Sequence, residues 1–186
     1  MEDEIVDGVD FTENLPKNNE YENYTFNNCN FSEIDLSEFK FIDCEFNDCN
    51  LSLAKLIETV WRDVSFNNCK MLGLSFDVCN KFGLSFSFDG CSLNHSSFHN
   101  TKIKNTVFKN TRLLEVDFSE SDLTGVIFDQ CDLKNAVFDQ TILEKSDFRT
   151  SYNYSIDPDN NKIKMAKFSI SGVSGLLEKY NIEIER

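Results

Sequence analysis

Cysteine and histidine are the residues of this sequence that could most directly bind a metal ion or act as nucleophile and base. The 186 residues include seven cysteines and two histidines. No two cysteines form a CxxC pair, and Cys29, Cys49 and Cys69 follow one another at intervals of twenty residues. An odd number of thiols in a chain that we expect to be cytoplasmic indicates reduced cysteines that serve as small apolar side chains. We therefore predict no metal site and no cofactor.

The histidines and carboxylates likewise give no catalytic arrangement. His95 and His99 fall at positions where the sequence brings no Ser or Cys nucleophile near them. Acidic residues number 32 against 18 basic ones, but no spacing selects two carboxylates as general acid and base. The sequence also lacks a phosphate-binding loop motif. These observations predict a protein that is not an enzyme.

The overall charge restricts the possible partners. A formal charge of −14 repels nucleic acid and acidic membrane surfaces, so a large partner is expected to present a basic surface. No apolar run reaches the roughly eighteen residues that span a bilayer, and the N-terminal sequence MEDEIVDGVD is acidic, unlike a signal peptide. We expect a cytoplasmic protein that binds neither nucleic acid nor membranes directly.

Large apolar residues recur at every fifth position, and this repeat accounts for the positions of the cysteines. One register of thirteen positions runs from Phe26 to Phe86 and is apolar except at Lys81. A second register, shifted by two residues, runs from Phe88 to Phe148 and is apolar throughout. We call these positions centres. The residue two places before a centre is in most units of small or modest size, and all seven cysteines occupy such positions.

A period of five predicts a solenoid. Residues two apart on an extended chain point the same way, so each centre and the small residue before it point inward. Four such units that turn in the same direction make a square coil of about twenty residues, and successive coils stack at about 4.8 Å through backbone hydrogen bonds. Cysteines spaced by twenty residues then form an interior column, and Phe118 is predicted to be fully buried.

Lys81 is the one polar residue at a centre, and Phe82 follows it. An unpaired buried ammonium group carries a large desolvation cost. We therefore expect the chain to bulge here, so that Phe82 turns inward and Lys81 reaches solvent.

The segments CNFSE, CEFND, CNLSL, SDLTG, CDLKN and AVFDQ resemble the pentapeptide repeat, whose pattern is roughly A(D/N)LXX. The resemblance implies an all-β fold, a right-handed quadrilateral parallel β-helix, in agreement with the coil described above. We expect an N-terminal cap and irregular first coil at 1–25, the β-helix at 26–150 with a break near 86–90, and a C-terminal module at 151–186.

The C-terminal module reads as a turn at Asp157 and Pro158, a short strand, a helix near 173–180 and a final strand. It resembles the tail of the topoisomerase-protecting branch of the family, which includes the Qnr quinolone-resistance proteins, MfpA and McbG. In that branch the tail joins two molecules end to end. The resemblance implies a homodimer, and the apolar residues that we expect at its contact are Leu176, Leu177, Tyr180, Ile182 and Ile184.

The square coil also gathers carboxylates on one face, opposed only by Lys55. These outward acidic residues are Asp35, Glu38, Glu58, Asp77, Asp117, Glu120 and Asp139. Over about 25 Å they average one carboxylate per ~3.5 Å, close to the phosphate spacing of about 3.4 Å along one strand of B-DNA. The face therefore suggests imitation of DNA, and the alternative interpretation is a merely solvated surface.

Together, the resemblance and the charge predict a DNA mimic that binds DNA gyrase or topoisomerase IV and protects it from a quinolone or a peptide toxin. The resemblance supplies the target, and the acidic face supplies a physical basis for binding. The alternative is a structural or scaffold pentapeptide-repeat protein without a topoisomerase target.

Overall fold

The computed structural model describes residues 4–16 and 18–185, and within them ten short strands wind in one repeating direction. Each strand has three or four residues, because a turn follows each pair of inward-pointing residues and these two residues are only two positions apart. The strands are β1 Glu4–Asp7, β2 Glu20–Glu22, β3 Tyr24–Asn27, β4 Lys40–Ile42, β5 Glu45–Asn47, β6 Val60–Arg62, β7 Val64–Asn67, β8 Phe86–Asp89, β9 Val107–Lys109 and β10 Ile127–Asp129.

All strand pairs are parallel, and they form two sheets on different sides of a four-sided coil. The seven-stranded sheet has the order β1-β3-β5-β7-β8-β9-β10 and is named face A. The three-stranded sheet β2-β4-β6 begins face D, which continues through single bridges such as that between Lys102 and Asp122. Phe26 pairs with Phe46, and Phe46 with Phe66, so one coil takes twenty residues. The predicted quadrilateral parallel β-helix is confirmed.

The two remaining sides are held by isolated parallel bridges rather than by strands. Face B follows face A along the chain, and its bridges include those of Asn30 with Asn50 and of Asn50 with Lys70. Face C follows face B, and its buried centres are Leu36, Leu56, Phe76, Phe98, Phe118 and Phe138. Outward residues on face C therefore come from different coils and meet through stacking.

The core is a stack of centre residues, and Phe118 is fully buried as predicted. Phenylalanine rings from successive coils lie nearly parallel, with ring centroids 5.1 Å apart for Phe46 and Phe66 and 5.2 Å apart for Phe108 and Phe128. Large rings at fixed intervals bury much apolar surface per coil, which favours this stacking over a looser solenoid.

The small inward position has a second role that the sequence analysis missed. The Cys69 thiol donates to the Phe46 carbonyl over 3.3 Å, and the Thr59 hydroxyl donates to the Leu36 carbonyl over 2.8 Å. In both cases the acceptor belongs to the preceding coil. All seven cysteines are buried free thiols, and burial raises the pKa of Cys131 to about 12. The predicted interior position of all seven cysteines is confirmed.

Most corners of the coil place a residue in the left-handed backbone region, because the chain turns sharply after a centre. Asn28 has φ 51° and Asp48 has φ 54°, and short polar residues adopt this region more readily than others. Gly90 occupies an equivalent corner with φ 68°, and a Cβ there would lie 2.4 Å from Asn68 Oδ1. The abundance of Asn, Asp and Glu at this position thus reflects backbone geometry as well as solubility.

The two-residue shift between the registers lies in the segment 81–85, just before the predicted break near 86–90. The Asn80 amide still donates to the Thr59 carbonyl in the regular offset, whereas Phe86 pairs with Val64 and is displaced by two residues. Phe86 therefore fills a small inward position instead of a centre. The centroid of its ring lies 5.3 Å from that of the Phe76 ring. The Phe86 ring thus occupies space that an apolar residue at the position of Lys81 would otherwise fill.

Lys81 reaches solvent as predicted, and its ammonium group donates to the Asn100 carbonyl over 3.3 Å. The prediction that Phe82 turns inward is wrong, because 81% of its surface is exposed and its ring lies 6.0 Å from the Arg62 guanidinium carbon. Partly buried Leu84, together with Phe86, supplies the apolar packing that Phe82 was expected to give.

The C-terminal module differs from the predicted helix and strands. The β-helix continues past Phe148, since the Phe168 ring stacks on it at 5.3 Å. Single bridges at Lys162 and Lys167 take the place of the predicted short strand. Two 3₁₀ helices, Ile170–Leu176 and Glu178–Tyr180, follow, and residues 181–185 have no regular secondary structure where the final strand was expected.

Close packing of the 3₁₀ helix against the last coil explains this difference. A Cβ on Gly175 would lie 2.2 Å from the Tyr154 carbonyl oxygen, so only glycine permits this approach. The Ile156 amide donates to the Gly175 carbonyl over 2.9 Å. The helix therefore packs on the segment around Tyr154 and covers this part of the end of the solenoid.

Candidate functional site: the acidic face

All seven carboxylates of the predicted acidic row lie at outward positions of face C. Asp35, Glu38, Glu58 and Glu120 are exposed, whereas the side chains of the other three are half-buried. The geometry follows from the fold, because bridges such as that of Ser97 with Asp117 align equivalent positions of successive coils.

The carboxylates form two groups rather than a continuous row. The N-terminal acidic group contains Asp35, Glu38, Glu58 and Asp77, and the C-terminal acidic group contains Asp117, Glu120 and Asp139. Between the groups, the outward positions of one coil are Ser97, His99 and Asn100, none of which is acidic. Counting carboxylates along the sequence did not reveal this gap, because it appears only when the residues are assigned to coils.

Short local hydrogen bonds hold several of these carboxylates in place. The Ser37 amide donates to Asp35 Oδ1 over 3.0 Å, and hydrogen bonds from Ser37 lower the pKa of Asp35. The Ser119 amide donates to Asp117 Oδ1 over 2.9 Å, and the Ser119 hydroxyl donates to the same oxygen over 2.6 Å. Such turns pre-orient the charged groups, which lowers the entropy lost when a partner binds.

Two further carboxylates contact the amides of neighbouring coils. Glu58 Oε2 accepts a hydrogen bond from the Asn80 side chain over 3.1 Å, and Asp139 accepts one from Asn160. Within the described ranges, Asp77 Oδ1 is a buried atom without a hydrogen-bond partner. These contacts leave the negative charge of face C uncompensated, since amides do not neutralise a carboxylate.

The acidic residues before residue 150 that form ion pairs lie on other faces. Lys109 contacts Asp89 at 2.8 Å on face A, and Lys104 contacts Asp122 at 3.0 Å on face D. Among residues 4–16 and 18–185, none of the seven face C carboxylates forms an ion pair. Unpaired carboxylates on one flat side create a negative potential that attracts a basic surface.

His99 contacts a serine hydroxyl, contrary to the expectation that no nucleophile lies near the histidines. Its Nδ1 is 2.9 Å from Ser119 Oγ, which lies one coil further along face C. The spacing of twenty residues could have revealed this pair. The hydroxyl donates to Asp117, so the serine stands between carboxylate and imidazole, whereas a catalytic triad places the imidazole between carboxylate and serine. His95 contacts Glu115 at 3.3 Å on the edge of face B.

The part of the chain that the structure describes contains no group of three or more His, Cys, Asp or Glu residues placed to hold a metal ion. In the same residues, no helix has the length and apolar character needed to cross a membrane. Face C thus offers charge and hydrogen-bonding groups on an open surface.

The predicted dimer residues divide into two kinds. Leu176 packs against the core of its own chain, and Leu177 is half-buried. Tyr180, Ile182 and Ile184 expose 56%, 57% and 53% of their surface. Ile170, exposed at 96%, lies on the same module and was not selected from the sequence. The end-to-end dimer remains a prediction, with apolar surface available for it.

Family models match most of the repeat region. The model for pentapeptide repeats in eight copies matches residues 25–56 and 44–80, and the model for a pentapeptide repeat region matches residues 81–154. Together they extend over more than half of the chain. Among curated proteins, no relative matches the sequence.

Solved structures of QnrB1, described as a plasmid-mediated fluoroquinolone resistance protein, share the fold. One trypsin-treated variant has a TM-score of 0.65 and 17% identity, and the match covers 98% of this chain and 99% of that one. A second trypsin-treated variant has a TM-score of 0.65 and 18% identity, with 98% of each chain covered. At these identities the likeness concerns the fold alone. The repeat matches and the observed coil establish that the chain belongs to the pentapeptide-repeat family.

Proposed function

We propose that this protein is a DNA mimic that binds a type II topoisomerase, DNA gyrase or topoisomerase IV, through face C and shields it from a poison. The observation that carries the proposal is the set of seven outward carboxylates without ion-pair partners on one face. A DNA-binding saddle is a basic surface shaped to receive a rod of regularly spaced negative charge. The β-helix is such a rod.

The fold supports this proposal through its rigidity. Coils that repeat at about 4.8 Å hold acidic side chains at fixed intervals, whereas a flexible acidic segment would lose entropy on binding. Long-range attraction between the charged surfaces also speeds association at low ionic strength. QnrB1 shares the fold and is described as a fluoroquinolone resistance protein, which makes a fluoroquinolone the first poison to test.

The tail module supports a second part of the proposal, a homodimer joined end to end. Exposed Tyr180, Ile182 and Ile184 lie beyond the 3₁₀ helix that covers the last coil. Apolar side chains gathered at one end of a charged rod are typical of a protein contact. Dimerisation through this end would double the length of acidic surface offered to a two-fold symmetric enzyme.

A gyrase supercoiling assay tests the proposal. The protein is titrated into gyrase with and without a fluoroquinolone, and in parallel with a microcin-type peptide toxin. We expect the protein to restore supercoiling in the presence of at least one poison and to compete with DNA for gyrase. A protein that neither binds gyrase nor topoisomerase IV nor alters their activity would instead favour the scaffold alternative.

Charge reversal links the activity to face C. The variant Asp117→Lys, Glu120→Lys and Asp139→Lys changes the C-terminal acidic group, and we expect it to lose most of its affinity. The control variant Asp43→Lys, Glu45→Lys and Asp48→Lys makes the same change in charge at exposed positions of face A and its corners, away from face C. Equal loss in both variants would indicate that net charge alone matters and would refute binding through face C.

A further inference from the structure

Exposed apolar side chains interrupt the N-terminal acidic group in two successive coils. We name these residues the apolar patch, and they are Leu53, Ile57, Leu72 and Val78, with exposed fractions of 57%, 56%, 37% and 38%. Ile57 and Val78 lie on face C, and the two leucines lie at its edge with face B. One coil earlier, the equivalent positions hold Glu33, Ser37, Ser52 and Glu58, so the coil does not require apolar residues here.

Leu53 is unusual for its backbone as well as its exposure. Its φ is 60°, in the left-handed region that branched apolar residues rarely adopt. The other non-glycine residues of positive φ are polar or charged, apart from Met165. Asparagine would suit this corner better, as it does at the equivalent corner of Asn135. Stability of the chain therefore does not explain a leucine here, and strained backbone of this kind is often kept for function.

The side chain of Leu53 lies against the next coil. Its Cδ2 is 2.8 Å from the place where a Cβ on Gly73 would stand, so Gly73 leaves the room that Leu53 occupies. Leu72 directly precedes Gly73, so both leucines border this glycine at the edge of face C.

Charged residues frame the apolar patch. Asp35, Glu38, Glu58 and Asp77 lie around it on face C, and Lys55 stands between Leu53 and Ile57. An apolar centre within a charged rim is the usual arrangement of a protein interface. Double-stranded DNA bound by a saddle presents phosphates along its backbone and offers no such apolar centre, so this region does more than copy DNA.

We propose that the apolar patch and the N-terminal acidic group together form the anchor of a protein interface, whose partner surface has an apolar depression framed by Lys and Arg. The inference rests on the proposed function in taking that partner to be the topoisomerase. The C-terminal acidic group then contributes mainly electrostatic attraction to the partner. The anchor adds apolar contacts, which a protein surface can match and DNA does not offer. The two regions differ in how binding responds to salt, because burial of apolar surface is not screened by ions.

The test compares a patch variant with a matched control in binding to intact gyrase at several salt concentrations. The patch variant is Leu53→Asn with Ile57→Ser, and the control is Ile5→Ser with Ile127→Ser, which removes exposed apolar side chains from face A, away from face C. We expect the patch variant to bind at least about tenfold more weakly at every salt concentration with an unchanged salt slope. The control is expected to bind like the parent protein.

A melting measurement separates binding from folding. Because asparagine suits a positive φ, Leu53→Asn alone is expected to melt at the same temperature as the parent or higher, while it binds gyrase more weakly. If the parent binds gyrase and the patch variant binds equally well, the inference is overturned and the proposed function stands. If the parent binds neither gyrase nor topoisomerase IV in the same assay, both are overturned.

Discussion

Faces C and D carry opposite charge in the C-terminal half of the β-helix, although the same coils build both. On face C, the charged residues between positions 97 and 140 are Asp117, Glu120 and Asp139. On face D, the exposed basic residues of the same half are Lys102, Lys104, Lys145, Lys162 and Lys164, against half-buried Asp122 and Glu144. A protein of net charge −14 has thus separated its charges by side.

Behind these two faces the interior is the same. Phe118 under face C and Leu123 under face D are both fully buried, and each belongs to an unbroken column of centres in this half. The core therefore fixes where outward side chains stand, while the outward residues are free to set the charge. Acidity of face C is a property of the sequence that the fold neither requires nor prevents.

The largest effect is expected from a change to the shared core. Phe118→Ala should lower the free energy of unfolding by about 3–5 kcal/mol, because it removes a large buried ring and leaves a cavity. Chemical denaturation followed by circular dichroism measures this change. The neighbouring outward substitution Glu120→Ala serves as the control and should change stability little. An unchanged midpoint for Phe118→Ala would contradict the assignment of inward and outward positions.

The second largest effect is expected when the charges of side chains on faces C and D are reversed and gyrase binding by the two variants is compared. Reversing Asp117, Glu120 and Asp139 to Lys should weaken gyrase binding by at least about tenfold and flatten its dependence on salt. Reversing Lys102, Lys162 and Lys164 to Glu should leave both quantities nearly unchanged. Titrations at low and moderate ionic strength measure the two slopes. If the lysine variant loses as much affinity as the carboxylate variant, face D also takes part in binding.

The third prediction concerns the proposed dimer contact in the C-terminal tail. Ile182→Ser with Ile184→Ser removes exposed apolar surface but keeps the 3₁₀ helix that covers the last coil. We expect this variant to sediment as a monomer at micromolar concentration with an unchanged melting temperature. Deletion of residues 171–186 should in addition destabilise the fold, since it uncovers Tyr154. A parent protein that is already monomeric would show that the tail is only a cap.

The smallest effect concerns a carboxylate that is paired, in contrast to those of face C. Hydrogen bonds from Arg149 lower the pKa of Asp147, so this group stabilises the fold above its unfolded pKa and loses that contribution as pH falls through the folded value. Asp147→Asn should therefore cost up to about 1 kcal/mol at pH 7 and almost nothing at pH 2. Urea denaturation at both pH values checks this.

Most of the fold was predictable because the five-residue period that specifies it can be recognised from short stretches of the sequence. Extended backbone alternates its side chains, so a period of five in large residues specifies a coil without knowledge of distant contacts. The interior cysteines and the outward placement of the carboxylates followed from that period. The outcome at Lys81 was half predictable, because the desolvation of an ammonium group is a property of the residue, whereas the choice between Phe82 and Leu84 depends on the space left by other coils.

The sequence by itself therefore determined the square β-helix, its buried centres and the face on which the acidic residues lie. Only the tertiary structure decided that the two extra residues enter at 81–85 and that the carboxylates form two groups around a coil without acidic residues on face C. It also decided that Gly175 allows a 3₁₀ helix to pack against the last coil. The physical reason is that the repeat fixes direction and spacing along the chain. Which side chain fills a gap, or which segment covers an end, depends on the shape that neighbouring coils leave open.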